Sequence, residues 1–224
     1  MRTKAVIFDV DGTLVDSNDA HARAWVAAFA AERIAVDYNA VRRAIGMGGD
    51  KLIPAVSKVS PGSALGKRLT ERRAAEFAER QLPAVRPFPH VRGLALRMVE
   101  DGYLLAIASS AQEDELRQLV DRAGITDLLA AQSSSDSGGQ SKPDPDIVQA
   151  ALARAKVDAR DAIMIGDTPY DVEAAQRAGV RIVGVTCGGW SAADLTGAIA
   201  VYSDPADLLA GYDSSPFARR ASCT

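Results

Sequence analysis

The 224-residue sequence predicts an α/β fold: a Rossmann-like parallel sheet with helices on both faces, interrupted by an inserted block of helices. Three observations carry this. The chain opens on an apolar run, Ala5-Val6-Ile7-Phe8, that reads as a buried strand. From about residue 90 onward short apolar runs alternate with helical patterns, the rhythm of strand–helix–strand units in a parallel sheet. Between these regions only helical patterns occur. The expected division is an α/β core of residues 1–16 and 86–224 and a helical insert of residues 17–85.

Each element has a local reason. After the first strand, Ser17 or Asn18 can cap a helix over about 19–33, whose apolar positions Ala24, Trp25, Ala28 and Phe29 recur at helical spacing. Asp37 starts a second helix through Val41 and Ile45, which Gly46-Met47-Gly48-Gly49 breaks. Asp50 can cap a third, with Leu52, Ile53 and Val56 on one side. Ser60-Pro61-Gly62-Ser63 leads into a long charged helix reaching about residue 82, and Pro83, Pro87 and Pro89 then punctuate the chain. In the second region 94–101 reads as helix, 103–108 as a buried strand, and 113–123 as a helix stopped by Gly124. A helix over 144–155, a strand over 162–165, a helix over 169–178 stopped by Gly179 and a strand over 180–185 follow. The tail after Tyr212 is expected to be poorly ordered.

Composition narrows the function classes. Hydrophobic residues make up 47% and charged residues 25%, as in soluble globular chains. A net charge of -3 gives no reason to expect nucleic acid or an acidic membrane as partner. The pairs Arg72-Arg73 and Arg219-Arg220 read as solvated helix face and tail. Cys187 and Cys223 form no Cys-x-x-Cys unit, which fits a reducing cytoplasm. Arg2 and Lys4 precede the first apolar run as in a signal peptide, but Asp9 and Asp11 cut that run short. No segment approaches the roughly 18 apolar residues of a membrane span.

The chemistry gathers where strands end. Asp9 and Asp11, in Phe8-Asp9-Val10-Asp11-Gly12-Thr13, stand at the carboxyl edge of the sheet, where open α/β sheets bind ligands. Such a pair can divide nucleophilic and proton-transfer work, can hold Mg²⁺, or can be a polar turn. Ser109 and Ser110 end the next strand; their hydroxyls can bond a phosphate oxygen or cap the following helix. Lys142, in Ser141-Lys142-Pro143-Asp144-Pro145, follows a Ser/Gly stretch read as flexible. It precedes a helix start, with Pro143 biasing it to extended geometry, and can neutralise a phosphate and a carboxylate or be a surface lysine. Asp167 and Asp171, in Gly166-Asp167-Thr168-Pro169-Tyr170-Asp171, are four apart, so both carboxylates can face one ion; an N-cap and a helix-dipole acid are the alternative.

In order and on the right elements, these four sites resemble the haloacid dehalogenase-like superfamily of phosphotransferases over almost the whole chain. The resemblance implies that Asp9 is a nucleophile that becomes an aspartyl-phosphate. It implies that Asp11 protonates the leaving group and then activates water, and that Ser109 and Lys142 hold the phosphoryl group. Asp167 would ligate Mg²⁺ with Asp9 and the Asp11 backbone carbonyl, supported by Asp171. The insert resembles the family's cap, and its position resembles the phosphoglycolate phosphatase and β-phosphoglucomutase branch. The implied partner is a small phosphorylated metabolite, with the protein a monomer or homodimer.

Three residues separate the alternatives. His21, ten residues after Asp11, matches a β-phosphoglucomutase histidine that couples cap closure to proton transfer, or is an ordinary hinge-region residue. The mutase's cap arginine is expected three residues after the glycine equivalent to Gly46, where this chain has Gly49. Met47 and Lys51 stand at the spacing of a phosphonatase's cap Met and Schiff-base Lys; with Asp11 present, Lys51 reads as a cap residue facing substrate. Gly188-Gly189 suggests a tight loop near the sheet edge, and Trp190 either walls the site or packs. A non-catalytic binding protein on this fold is the remaining alternative, against which the intact set of acids argues.

Overall fold

A computed structural model of the chain describes residues 3–135 and 139–219. Six strands, β1 (Ala5–Phe8), β2 (Leu104–Ala108), β3 (Leu129–Ser133), β4 (Ala162–Gly166), β5 (Arg181–Val185) and β6 (Ala200–Tyr202), pair in the order β3-β2-β1-β4-β5-β6. Every neighbouring pair is parallel. The sheet grows outward from β1 in one direction and then from β4 in the other. The carboxyl ends of β1 and β4 therefore flank the crevice that a change of strand order opens.

Helices cover both faces of the sheet and build the insert. They are α1 (Asn18–Ala31), α2 (Tyr38–Ala44), α3 (Gly49–Val56), α4 (Ala64–Glu76), α5 (Val91–Glu100), α6 (Glu113–Ala123), α7 (Asp146–Ala155), α8 (Pro169–Arg177) and α9 (Pro205–Ala210). Because strand side chains alternate, Val6 and Phe8 of β1 pack with α5, α6 and α9, while Ala5 and Ile7 pack with α7 and α8. Burying such side chains supplies about 1.5–3 kcal/mol each and locks the strand tips in place.

The insert has its own core of Trp25, Phe29, Val41, Leu52, Ile53 and Leu69. Helix α1 serves both bodies: Ala20 and Ala24 join the core against the sheet, and Trp25, Ala28 and Phe29 join the insert's. The two connections run side by side. The Asp16 N–H donates to the Arg86 carbonyl at 2.9 Å, and the Phe88 N–H to Leu14 at 3.0 Å.

Several expectations need correction. The edge strands β3 and β6 and the helix α9 have no counterpart in the sequence reading. The long helix of the insert ends at Glu76 and continues as a π-helical turn, Phe77–Gln81, and a short 3-10 turn, Leu82–Ala84. Asp50 lies in the first turn of α3, after Gly48 at the N-cap. Ser17 and Asn18 make no side-chain cap to α1. Of the chain after Tyr212, the described residues 213–219 are packed: Tyr212 and Phe217 are buried, and Tyr103 Oη donates to the Phe217 carbonyl at 2.7 Å. Arg219 lies over the Tyr103 ring, 4.1 Å from its centroid, and is no solvated tail residue. Arg2, Arg220, Cys223 and part of the Ser/Gly stretch before Lys142 lie outside the described residues.

Candidate active site

Asp9 is the first residue beyond β1, and its N–H donates to the Ile165 carbonyl of β4 at 2.9 Å. Asp167 is the first residue beyond β4, so the two carboxylates meet at the switch point. The turn between them is shaped by Gly12, whose φ is +78°. A Cβ on Gly12 would lie 2.3 Å from Asp167 Oδ2, so the residue must be glycine for both conformation and approach. Thr13 Oγ1 lies 3.3 Å from Asp9 Oδ2 and 3.1 Å from Asp167 Oδ1, within donating reach of either.

Lys142 is fully buried. Its ammonium pairs with Asp9 Oδ1 and lies 2.7 Å from Asp171 Oδ1. Asp171 also closes a capping box at α8: its Oδ2 accepts from the Thr168 N–H at 3.0 Å and from Thr168 Oγ1 at 2.6 Å. Asp171 thus serves the helix through Oδ2 and faces Lys142 through Oδ1, while the N-cap of α8 is Thr168 and not Asp167. The Lys142–Pro143 peptide is cis.

Asp9, Asp167 and Asp171 offer oxygens within 4.8 Å of one another. Burial pushes the Asp9 carboxyl up to about 7, opposed by Lys142 and reinforced by Asp171 and Asp11. Burial, then Asp171 and Asp9, raise Asp167 well above the usual carboxylate range. Burial alone would lower the Lys142 ammonium, but the two carboxylates outweigh it and raise its pKa. Fully ionised, the three buried carboxylates would carry two negative charges more than the one ammonium balances, on hard oxygen donors. That donor set fits a divalent cation such as Mg²⁺.

The Asp11 carboxylate points elsewhere. Its Oδ1 accepts from Ser17 Oγ at 2.5 Å and lies 2.7 Å from His21 Nε2. His21 is buried and stacks on Phe77, ring centroids 4.0 Å apart. Burial would raise the Asp11 pKa, but His21 and Ser17 outweigh it and hold the carboxyl below its usual value. The neighbouring Asn18 reaches the other acid: its Nδ2 donates to Asp167 Oδ2 at 2.9 Å and to the Gly188 carbonyl at 3.0 Å. Gly188 itself is obligatory, since a Cβ there would overlap Asp167 Oδ2.

A cavity of about 40 Å³ lies between Asp9 and Asp11 and the insert's Trp25, Gly49 and Arg73, with Ser110 and Glu115 at its side. Ser109 is buried, and its Oγ accepts from the Ala111 N–H at 3.1 Å in the turn toward α6. Ser110 Oγ donates to the Gly46 carbonyl at 3.2 Å, tying core to insert. Arg73 is not a solvated helix residue: it is buried, pairs with Glu115 and faces this cavity. Lys51 does not face it. Its Nζ donates to the Ser141 carbonyl at 2.6 Å and pairs with Asp144. Trp190 packs instead of walling the cavity, edge-on to Tyr170 and under Arg43. The sequence takes Arg73 for a solvated helix residue and Asn18 for a possible cap, and gives no role to Thr13 or Glu115; the Gly12-Thr13 turn is the one local signal for any of them.

A family model described as haloacid dehalogenase-like hydrolase matches residues 6–185. The chain is 33% identical over 218 residues to a phosphoglycolate phosphatase from Rhodospirillum rubrum, covering 92% of this chain and 89% of that protein. It is 32% identical over 228 residues to the plasmid protein CbbY of Cupriavidus necator, covering 92% and 88%. The crystal structure of a hydrolase from Pseudomonas syringae superposes with a TM-score of 0.88 at 29% identity, over 95% of this chain and 99% of that one. The chain belongs to the haloacid dehalogenase-like hydrolases. Among the described residues no helix is long and apolar enough to cross a membrane.

Proposed function

We propose that the protein is a Mg²⁺-dependent phosphatase that hydrolyses a small phosphorylated metabolite through an aspartyl-phosphate on Asp9. The observation that carries this reading is the Asp9 carboxylate, buried at the switch point, paired with Lys142 and lining the cavity beside Asp11. An Asp9 oxygen attacks phosphorus as the bond to the ester oxygen breaks. Asp11 gives that oxygen its proton, then takes one from the water that cleaves the acyl-phosphate. The proton that Asp11 gives reaches it through the 2.7 Å contact with His21 Nε2, and the proton taken from water leaves the same way. Lys142 and Ser109 hold the phosphoryl oxygens. Mg²⁺, held by Asp9, Asp167 and the Asp11 backbone carbonyl with Asp171 behind, would screen the two anions and stabilise the transition-state charge. The helical insert acts as a cap that keeps bulk water out.

The phosphoglycolate phosphatase among its relatives makes 2-phosphoglycolate the first ester to test. Phosphate release from a panel of small esters, with Mg²⁺ and with chelator, tests the reading. The expected result is Mg²⁺-dependent release that Asp9→Asn abolishes without unfolding the chain. Full turnover by Asp9→Asn would end the covalent mechanism. The His21–Asp11 contact favours a phosphomutase as second reading, while Gly49 removes that enzyme's cap arginine. Dependence of turnover on a sugar bisphosphate primer would select it. Imine chemistry at Lys51 has no support from the geometry, because Asp144 already holds the amine.

A further inference from the structure

We infer that the seam between α2 and the Gly188–Trp190 loop is a second binding site, built for a doubly charged oxyanion such as inorganic phosphate or a phosphate monoester, and that its occupant holds the insert shut on the core. The site is distinct from the one at Asp9. Asn39, Arg42 and Arg43 stand at i, i+3 and i+4 on α2, so one face of the helix presents all three. Gly189 and Trp190 lie across from them, and these five residues line a cavity of about 440 Å³. That size is ordinary for a small-molecule site. The lining holds two cations and no acid.

Arg42 is already committed. Its Nε pairs with Asp19, and its Nη2 donates to the Gly188 carbonyl at 2.6 Å. Gly189 makes room for it, since a Cβ there would lie 2.9 Å from that Nη2. Arg43 has no ion pair among the described residues; its guanidinium lies over the Trp190 ring, 5.0 Å from the centroid. Asp194 feels its charge, but that carboxylate accepts from the Ser191 N–H and Oγ instead. The Asn39 amide and the Trp190 indole N–H make no hydrogen bond among the described residues either. Arginines in the last turn of α2 complement the helix dipole, which accounts for the charges but not for unused donors around a cavity. Guanidinium, amide and indole N–H groups with no acceptor opposite them suit an oxyanion.

The two walls belong to different bodies, α2 to the insert and the Gly188–Trp190 loop to the core. An anion that needs both walls binds only the joined arrangement and favours it. In that arrangement the cavity at Asp9 and Asp11 is about 40 Å³, room for one or two waters, so an ester enters and its products leave only as the insert moves. An occupied seam opposes that movement.

The test sets wild type against Arg43→Gln, a change at an exposed side chain away from the reacting groups. Calorimetric titration with inorganic phosphate, at constant ionic strength and with Mg²⁺, should show one binding event in wild type that Arg43→Gln weakens by about 10- to 100-fold. Without added phosphate, kcat of the variant should stay within about twofold of wild type. At saturating ester, added phosphate should lower the wild-type kcat, because more substrate cannot displace an anion from the seam. In Arg43→Gln phosphate should act through KM alone, as a competitor at Asp9 does. A wild-type kcat that also falls at high ester concentration, and does not in the variant, names the ester as an occupant; a fall with phosphate only names the free anion. Equal phosphate binding by the two proteins, or a wild-type kcat that neither phosphate nor ester lowers, would overturn the inference. If no ester is turned over, the phosphatase reading fails separately and the calorimetry decides the seam site alone.

Discussion

At the scale of single residues the site is an electrostatic imbalance held in place by packing. Asp9 and Asp167 have carboxyls raised by burial, so the folded chain binds protons that the unfolded chain releases. The contribution of Asp9 to the stability of the metal-free protein therefore falls as pH rises from about 4 through about 7, the reverse of an ordinary ion-paired carboxylate. A divalent cation should stabilise the fold more at about pH 8 than at about pH 5. Thermal unfolding with Mg²⁺ near a hundredfold over its Kd should show a rise of roughly 5–10 °C at the higher pH. A larger rise at the lower pH would contradict the charge assignment. Lys142 is the counterpart. Replacing it by Met strands Asp9 and Asp171 and should cost about 3–5 kcal/mol in denaturant unfolding at neutral pH.

At the scale of elements, the strand tips were legible and the reach of side chains was not. Asp9, Ser109 and Asp167 follow β1, β2 and β4 as the apolar runs indicated, because a fully buried strand announces its own end. The edge strands β3 and β6 carry no such run. Leu129–Ser133 is only partly buried and Ala200–Tyr202 is three residues long, so their pairing comes from the neighbour strand, which local sequence cannot report. Asn18 was read as a cap because Asn is a good cap; its amide instead crosses 149 positions to Asp167. Arg73 was read as solvated because its neighbours are charged, and only the packing of α4 on α1 turns it inward. Asn18 and Gly188 therefore make a prediction of their own. Asn18→Ala or Gly188→Ala should lower Mg²⁺ affinity by about 10- to 100-fold, read by calorimetry, with the fold retained. Unchanged affinity in both would remove Asp167 from the metal site.

At the scale of the whole molecule, the insert is tied to the core by hydrogen bonds from several of its elements. Arg42 donates to the Gly188 carbonyl at 2.6 Å, Tyr170 Oη donates to the Arg43 carbonyl at 2.9 Å, Ser110 bonds Gly46, and Lys51 bonds the Lys142 loop. The paired connections at Asp16 and Arg86 leave the insert joined to the core along one edge. Lys51 belongs to this perimeter. Lys51→Ala should leave ester hydrolysis within about threefold of wild type, as for other partly exposed ion pairs. Abolished turnover would instead restore the lysine to the chemistry.

The central claim is that Asp9 carries the phosphoryl group during turnover. Its most direct test is acid quenching of the protein mid-turnover with 2-phosphoglycolate and Mg²⁺, followed by peptide mass spectrometry. One phosphoryl group on the peptide containing Asp9, absent with chelator and absent in Asp9→Asn, is the predicted result. Phosphate release that continues with no phosphorylated peptide, or a phosphoryl group on another residue, would contradict the account.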